Sequence, residues 1–272
     1  MKYRICLGKD LRVILSIKTE NKAIIPAIKE RYRDFLESAS PVRACAPKPL
    51  QIDLGFSGKI DNCPVAGHEV AVTLKNNVLF FARNDFAVEI NTKKMTGSAQ
   101  ASANIYSVDS LLRVIFSWLS TGRGGFLIHS AGIASVNHAS LFVGKTGAGK
   151  STIAKKFARK RILSDELVLV KLKNNKTSFA YSTPFWGELE QGSGNLERKI
   201  NRVYFLNKAP ALKMEQTGAG ETVKKLLANT LFFIRDKKIS GKILETAVRT
   251  AKTAKFYNLN FPKNVKAGEL CI

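Results

Sequence analysis

The sequence predicts an α/β domain preceded by a mixed α+β region. Three observations carry that prediction. First, the apolar run Leu141-Phe142-Val143 leads into Gly144-Lys145-Thr146-Gly147-Ala148-Gly149-Lys150-Ser151-Thr152, and Ile153 to Ala158 then reads as a helix. Second, short apolar runs on either side, Phe126 to Ile128 and Leu167 to Leu172, have the length and composition of buried strands. Third, strand-like alternation surrounds one helical pattern in roughly the first hundred residues. We place the division at residues 1–104 and 105–272.

Residues 1–20 are strand-like, with Ile5, Leu7, Leu11, Val13, Leu15 and Ile17 alternating with polar positions. Ala23 to Ser38 carries Ile24, Ile25, Ile28, Tyr32, Phe35 and Leu36 at helical spacing, and Pro26 suits a first turn. Residues 40–64 hold Pro41, Pro47, Pro49, Pro64, Gly55 and Gly58, which predicts loop with short strands. Val70 to Leu74, Val78 to Ala82 and Phe86 to Ile90 read as a meander, turning at Asn76-Asn77 and Arg83-Asn84-Asp85. Ser107 to Ser120 reads as a helix with Ser107 as N-cap and Asp109 in its first turn. It ends at Thr121-Gly122-Arg123-Gly124-Gly125. Short strands are expected at 126–128, 133–136, 139–143 and 167–172, with an exposed turn at 173–176. A further strand is expected at 203–206, helices at 221–234 and 239–253, and a last strand at 256–261.

Gly-x-x-x-x-Gly-Lys-Ser between a strand and a helix is a phosphate-binding P-loop. Gly144, Gly147 and Gly149 free the backbone so that successive N–H groups can point at phosphate oxygens. Lys150 places an ammonium at the β- and γ-phosphates of a nucleotide, and the Ser151 hydroxyl can ligate Mg²⁺. The helix starting near Lys150 adds its positive N-terminal end. A phosphotransferase also needs an acidic metal ligand and a base. Asp165 and Glu166, in a turn after the P-loop helix, are the best placed; one can hold Mg²⁺ while its neighbour serves as base. The plainer reading is a solvated acidic turn. His129 ends an apolar run and can reach a phosphate or the metal, although a lone histidine there is more often structural. Trp186, between Pro184 and Gly187, reads as packing under a loop ahead of a lid or acceptor edge.

The chain has 272 residues, 45% hydrophobic and 24% charged, enough for a globular core. Its net charge of +23 admits nucleic acid, an anionic membrane surface or an acidic protein as partner. The basic residues are spread along the chain rather than gathered in a tail, and no helix-turn-helix or aromatic RNA-binding signature is present, so no nucleic-acid partner is expected. Cys6, Cys45, Cys63 and Cys271 form no C-x-x-C pair; they read as free thiols in a reducing cytosol, which predicts a cytoplasmic location. Lys2, Arg4, Lys9, Asp10 and Arg12 interrupt any signal-peptide core. No apolar run approaches the ~20 residues of a membrane span.

Four motifs align with one family. Gly124-Gly125-Phe126-Leu127-Ile128-His129-Ser130-Ala131-Gly132, the P-loop, Leu163-Ser164-Asp165-Glu166 and Thr183-Pro184-Phe185-Trp186-Gly187-Glu188 together resemble the C-terminal domain of HPr kinase/phosphorylase. More narrowly, they resemble the HPr-kinase-related proteins found in peptide-modification clusters. The resemblance covers about residues 105–261, and the first hundred match only loosely. It implies a phosphoenolpyruvate-carboxykinase-like P-loop fold, with ATP and Mg²⁺. It also implies transfer of the γ-phosphoryl group to a serine, or another hydroxyl, on a protein or peptide acceptor. Relatives commonly form homo-oligomers. Carried over by motif, His129, Lys150 and Glu166 surround metal and phosphates, Ser151 joins Glu166 on Mg²⁺, and Asp165 is the general base. The family's usual acid pair is Asp-Asp, and Glu166 is one methylene longer. Arg198 and Arg202 are candidates for the family's further basic residue. The receptor-like N-terminal domain of the bifunctional enzymes is not recognisable, which favours an acceptor other than HPr. Two rival functions remain: an ATP-binding sensor with the chemistry lost, motivated by Glu166, and a nucleic-acid-associated P-loop protein, motivated by charge alone.

Overall fold

Alternation over the first 17 residues becomes a hairpin rather than one long strand. Strands β1 (Lys2–Leu7) and β2 (Leu11–Ile17) pair antiparallel. Between them Gly8 and Lys9 have φ of +58° and +68°, the left-handed backbone that turns a hairpin tightly. Helix α1 (Ile24–Tyr32) buries Ile24, Ile25, Ile28 and Tyr32 and tightens into a 3₁₀ turn over Arg33–Phe35. Then come β3 (Leu50–Phe56), β4 (Ala71–Lys75), β5 (Val78–Arg83), β6 (Phe86–Asn91), β7 (Thr96–Ala101) and helix α2 (Ile105–Thr121). The computed structural model describes residues 1–21, 23–37, 47–57, 69–174, 176–189 and 192–270. Ser38, Pro41, Cys45, Gly58, Cys63, Pro64 and Cys271, named in the sequence reading, lie outside the described residues.

The strands form a seven-stranded mixed sheet in the order β1-β2-β3-β7-β6-β5-β4. β7 is absent from the sequence reading because Thr96-Gly-Ser-Ala-Gln-Ala has few β-branched or aromatic residues. Its small residues are what the sheet needs there: Gly97 lies opposite Ile90 and Ile52, and a Cβ at Gly97 would come within 2.9 Å of Ile52 Cδ1. Helix α2 is capped by Asn104, not by Ser107. The Asn104 side-chain oxygen accepts the Ser107 N–H at 2.9 Å, and Ser107 is buried inside the first turn. Buried Asp109 ties α2 to α1, accepting from Arg31, from Tyr32 and from Arg113 one turn along.

The second sheet is built from β8 (Gly125–Ala134), β9 (His138–Val143), β10 (Ile162–Ser164), β11 (Leu167–Lys173), β12 (Thr177–Tyr181), β13 (Glu197–Lys208), β14 (Lys213–Gln216) and β15 (Lys255–Phe261). Pairing runs in a closed circuit, β8 to β11, β12, β13, β9 and back to β8, with β10, β14 and β15 outside it. Strand β13 is parallel to both β9 and β15; the other pairs are antiparallel. Helix α3 (Lys150–Ala154) follows the P-loop sequence, and α4 (Ala219–Ala228) and α5 (Lys237–Thr250) follow β14. β8 is one continuous strand where the sequence suggests two short ones.

Both faces of this sheet are apolar, which explains the unbroken hydrophobic runs. Leu141, Val143, Val203 and Phe205 pack on one side with Leu226 of α4 and Ala247 of α5. Phe142, Tyr204 and Leu206 pack on the other with Ile153 and Ala154 of α3 and with Trp186. Each buried Leu, Val, Ile or Phe among them contributes about 1.5–3 kcal/mol. Helix α4 stops at Ala228, short of the expected Ile234, because β8 competes for its backbone: Asn229 O accepts from His129 N at 2.8 Å, and Leu231 N donates to Leu127 O at 2.8 Å. Helix α3 is only 5 residues long and dissolves into i→i−3 turns at Lys156 and Phe157, where the sequence predicts helix to Ala158.

The architecture is thus mixed α/β with two mixed sheets and few helices. The chain falls into two compact units, Met1–Leu119 with Phe232–Asp236, and Ser120–Leu231 with Lys237–Ile272. That division lies inside α2, where the sequence places it at 104/105.

Candidate functional site

The site is assembled from β8, β9, β11 and β13 of the second unit. β9 ends at Val143, and the chain enters Gly144–Gly149 before α3 begins at Lys150. Gly144 N donates to His129 O at 3.1 Å, which fixes the start of the loop to β8, and Ala148 N donates to Lys145 O at 3.1 Å. Gly149 has φ of +102°, and a Cβ there would come within 2.8 Å of the Phe261 ring. Glycine is required at 149 on both counts. A cleft of about 320 Å³ opens above the loop, lined by Thr146, Gly147, Gly149, Lys150, Ser151, Thr152, Asp165, Glu166, Gly187, Glu188 and Lys208. Gly144, Lys145, Ala148 and His129 do not line it. His129 enters through its backbone: its carbonyl holds Gly144, and its neighbour Ser130 N donates to Glu166 O at 2.9 Å.

Lys150 is buried, and its ammonium donates to Lys145 O at 3.1 Å. Burial pulls its pKa below the ordinary lysine value, opposed by the carboxylates of Glu166 and Asp165. Asp165 is not the solvated turn residue of the plainer sequence reading; it is 1% exposed. Its Oδ1 accepts from Gly187 N at 2.8 Å. Its Oδ2 accepts from Glu188 N at 2.8 Å, Leu189 N at 3.1 Å and the Ser151 hydroxyl at 3.2 Å. Those donors match the roughly four lone-pair sites of a carboxylate. Those hydrogen bonds compensate the burial of a polar group. Glu166 is half-buried beside it, its N–H held by Ser164 Oγ at 3.1 Å.

The segment 183–189 is what holds this turn in place. Ser164 donates to Phe185 O at 2.9 Å, and Thr183 donates to Leu167 O. Trp186 is buried in the core under Gly192, whose Cβ position would fall on the indole. Trp186 therefore packs, and the backbone after it serves the site. Glu188 forms an exposed ion pair with Lys155. Arg198 and Arg202, on β13, do not line the cleft; Arg198 Nη1 donates to its neighbour Glu197 O at 2.8 Å.

Gly187, Glu188 and Lys208 join the cleft without having been singled out for it by the sequence reading. Gly187 and Glu188 sit in a motif noted for other reasons. Lys208 had no local signal: it stands two residues past the strand expected at 203–206, and only the longer β13 brings it to the loop. Among the described residues no group of three or more His, Cys, Asp or Glu side chains is placed to hold a metal ion. That donor set does not argue against Mg²⁺, which commonly takes one or two protein carboxylates and fills its shell with water and phosphate oxygens. The Ser151 hydroxyl, oriented by Asp165 at hydrogen-bond distance, supplies an oxygen donor that fits such an ion. Among the described residues no helix is long and apolar enough to cross a membrane. Comparison with protein-family models gave no match, and comparison with curated protein sequences gave none.

Proposed function

We propose that this protein is an ATP-dependent phosphotransferase, of the HPr-kinase-like kind, that moves the γ-phosphoryl group onto a serine or other hydroxyl of a protein or peptide. The P-loop fold, of phosphoenolpyruvate-carboxykinase-like type, belongs to the same proposal. One observation carries it: the glycine-rich loop, the buried Lys150 ammonium and the Ser151–Asp165 pair open onto a single cleft. Each is a group that a nucleotide's phosphates and their Mg²⁺ require. Mg²⁺, when bound, neutralises charge on the phosphate oxygens.

In this reading the amides of the loop and Lys150 hold the phosphates, and the Ser151 hydroxyl, positioned by Asp165, would hold the metal. The arrangement favours a change in the acid pair. Four donors already engage Asp165, three on Oδ2 and one on Oδ1, which leaves little of its acceptor capacity for a substrate hydroxyl. Glu188 is committed to Lys155. Glu166 is then the cleft carboxylate that takes the hydroxyl proton, and its longer side chain gives it reach. Asp165 positions Ser151 and the 187–189 backbone.

The test is incubation with Mg²⁺, γ-labelled ATP and serine-bearing peptides encoded near this protein's gene, for the wild type, Lys150→Ala, Glu166→Gln and Asp165→Asn. Label on one acceptor is expected, lost by at least 100-fold in Lys150→Ala and Glu166→Gln, with ATP binding retained in Glu166→Gln. Asp165→Asn is expected to lower the denaturation midpoint as well, since an amide N–H would face the 187–189 N–H groups, at a cost of about 1–3 kcal/mol. Full transfer by Glu166→Gln would refute the base assignment. Saturable Mg²⁺-ATP binding with no transfer to any acceptor and no turnover would establish the sensor reading instead.

A further inference from the structure

We infer that Lys208 is a second phosphate-binding cation of this cleft and sets its preference for a triphosphate over shorter nucleotides. The inference rests on reading the cleft as a nucleotide site. β9, β13 and β15 are mutually aligned parallel strands, and their carboxyl ends meet at one place. β9 delivers the P-loop. β15 delivers Phe261, whose ring bounds Gly149. β13 delivers Lys208, three residues beyond Phe205, the partner of Val143 at the last paired position of β9. Ligands of α/β sheets bind outside the carboxyl ends of such strands.

Chemistry then narrows the role. Lys208 lines the cleft with Thr146, Gly147 and Gly149, and it is exposed. Its ammonium has no ion-pair or hydrogen-bond partner among the described residues. The charged lining consists of Asp165, Glu166 and Glu188 against Lys150 and Lys208. Lys155, outside the lining, offsets Glu188. Two carboxylates therefore face two ammonium groups. Without Lys208 the balance would turn acidic, and an acidic cleft repels a polyphosphate. Lys150 is shared with the Lys145 carbonyl and lies among carboxylates. Lys208 is the cation not already engaged. An ammonium in this position recognises negative charge and not the base or sugar, so its effect grows with the number of phosphates.

The experiment is calorimetric titration of Mg²⁺-ATP, Mg²⁺-ADP and adenosine into the wild type, Lys208→Met, Lys208→Arg and Lys150→Ala. Because Lys208 is exposed, Lys208→Met is expected to keep the wild-type circular dichroism spectrum and thermal midpoint. ATP affinity should fall roughly tenfold or more in Lys208→Met, ADP affinity less, and adenosine affinity not at all; Lys208→Arg should restore most of the ATP affinity. The salt dependence of ATP binding should weaken in Lys208→Met. ATP binding by Lys208→Met equal to wild type, with Lys150→Ala impaired, would overturn the inference and leave the nucleotide site standing. Equal losses for all three ligands would also overturn it, since that is a packing effect. Failure of the wild type to bind any nucleotide would overturn both readings.

Discussion

Cys6 and Asp165 show how a single polar side chain acquires its properties from its surroundings. Cys6 is a buried thiol in β1. Burial, and then the nearby Glu37 carboxylate, push its pKa from 9.0 up to about 12. Tyr32 moves the same way: burial, and then Asp109, raise its pKa well above 10.0. In both, the folded chain holds a proton that the unfolded chain releases. Their contribution to stability is therefore complete below the unfolded values and declines as pH rises from about 9 toward the folded values. In a variant with Cys45, Cys63 and Cys271 replaced by serine, Cys6 should react with a thiol reagent at pH 8 at least 100-fold more slowly in the native protein than in denaturant. Reaction at the denatured rate would show that Cys6 is not protected. Asp165 is the opposite case. Its neighbours supply donors rather than apolar surface, so it serves as a fixed point for Ser151 and the 187–189 backbone.

At the scale of the element, the glycine-rich loop 144–149 is positioned by strands more than by the helix that follows it. α3 has 5 residues, so it contributes little macrodipole, and the cations at the cleft carry that burden. The loop's shape depends on contacts across elements, as Gly149 illustrates. Its left-handed backbone and the ring of Phe261 on β15 both exclude a side chain. Gly149→Ala should destabilise the second unit by about 1–3 kcal/mol and weaken Mg²⁺-ATP binding at least tenfold. The pair Gly149→Ala with Phe261→Leu should recover part of the stability, because the smaller side chain removes the clash but not the backbone strain. Denaturation midpoints of the two variants decide the matter: no loss on Gly149→Ala would mean that the loop tolerates another backbone. The element boundaries follow the same logic. α4 ends where β8 offers partners for the next backbone groups, and β13 extends to Lys208 because β15 pairs with it over that whole length.

For the whole molecule, the division into two units makes the position of the cleft informative, since every residue lining it belongs to the second unit. Saturating Mg²⁺-ATP, at about 100 times its dissociation constant, should stabilise that unit by about 2.7 kcal/mol. Hydrogen exchange should slow first in 125–134, 138–143 and 197–208, the strands that support the loop. Equal slowing throughout residues 1–104 would mean that the ligand engages the first unit as well. The sequence by itself determined the strand–loop–helix setting of Gly144 to Ser151, the apolar strands around it and the acid pair at 165–166, because these are local patterns of spacing and composition. The N-cap at Asn104, the strand β7, the burial of Asp165 and the arrival of Lys208 at the cleft were decided only in the tertiary structure. Each depends on a partner distant in the chain or on a geometry that several residue types can satisfy: Gly97 answers Ile52, and Asp165 answers the amides of 187–189. Lys208 reaches the loop because a parallel strand pairing aligns its end with that of β9. Local propensity records what a segment prefers, whereas burial, charge balance and strand register are set by what the rest of the chain brings alongside it.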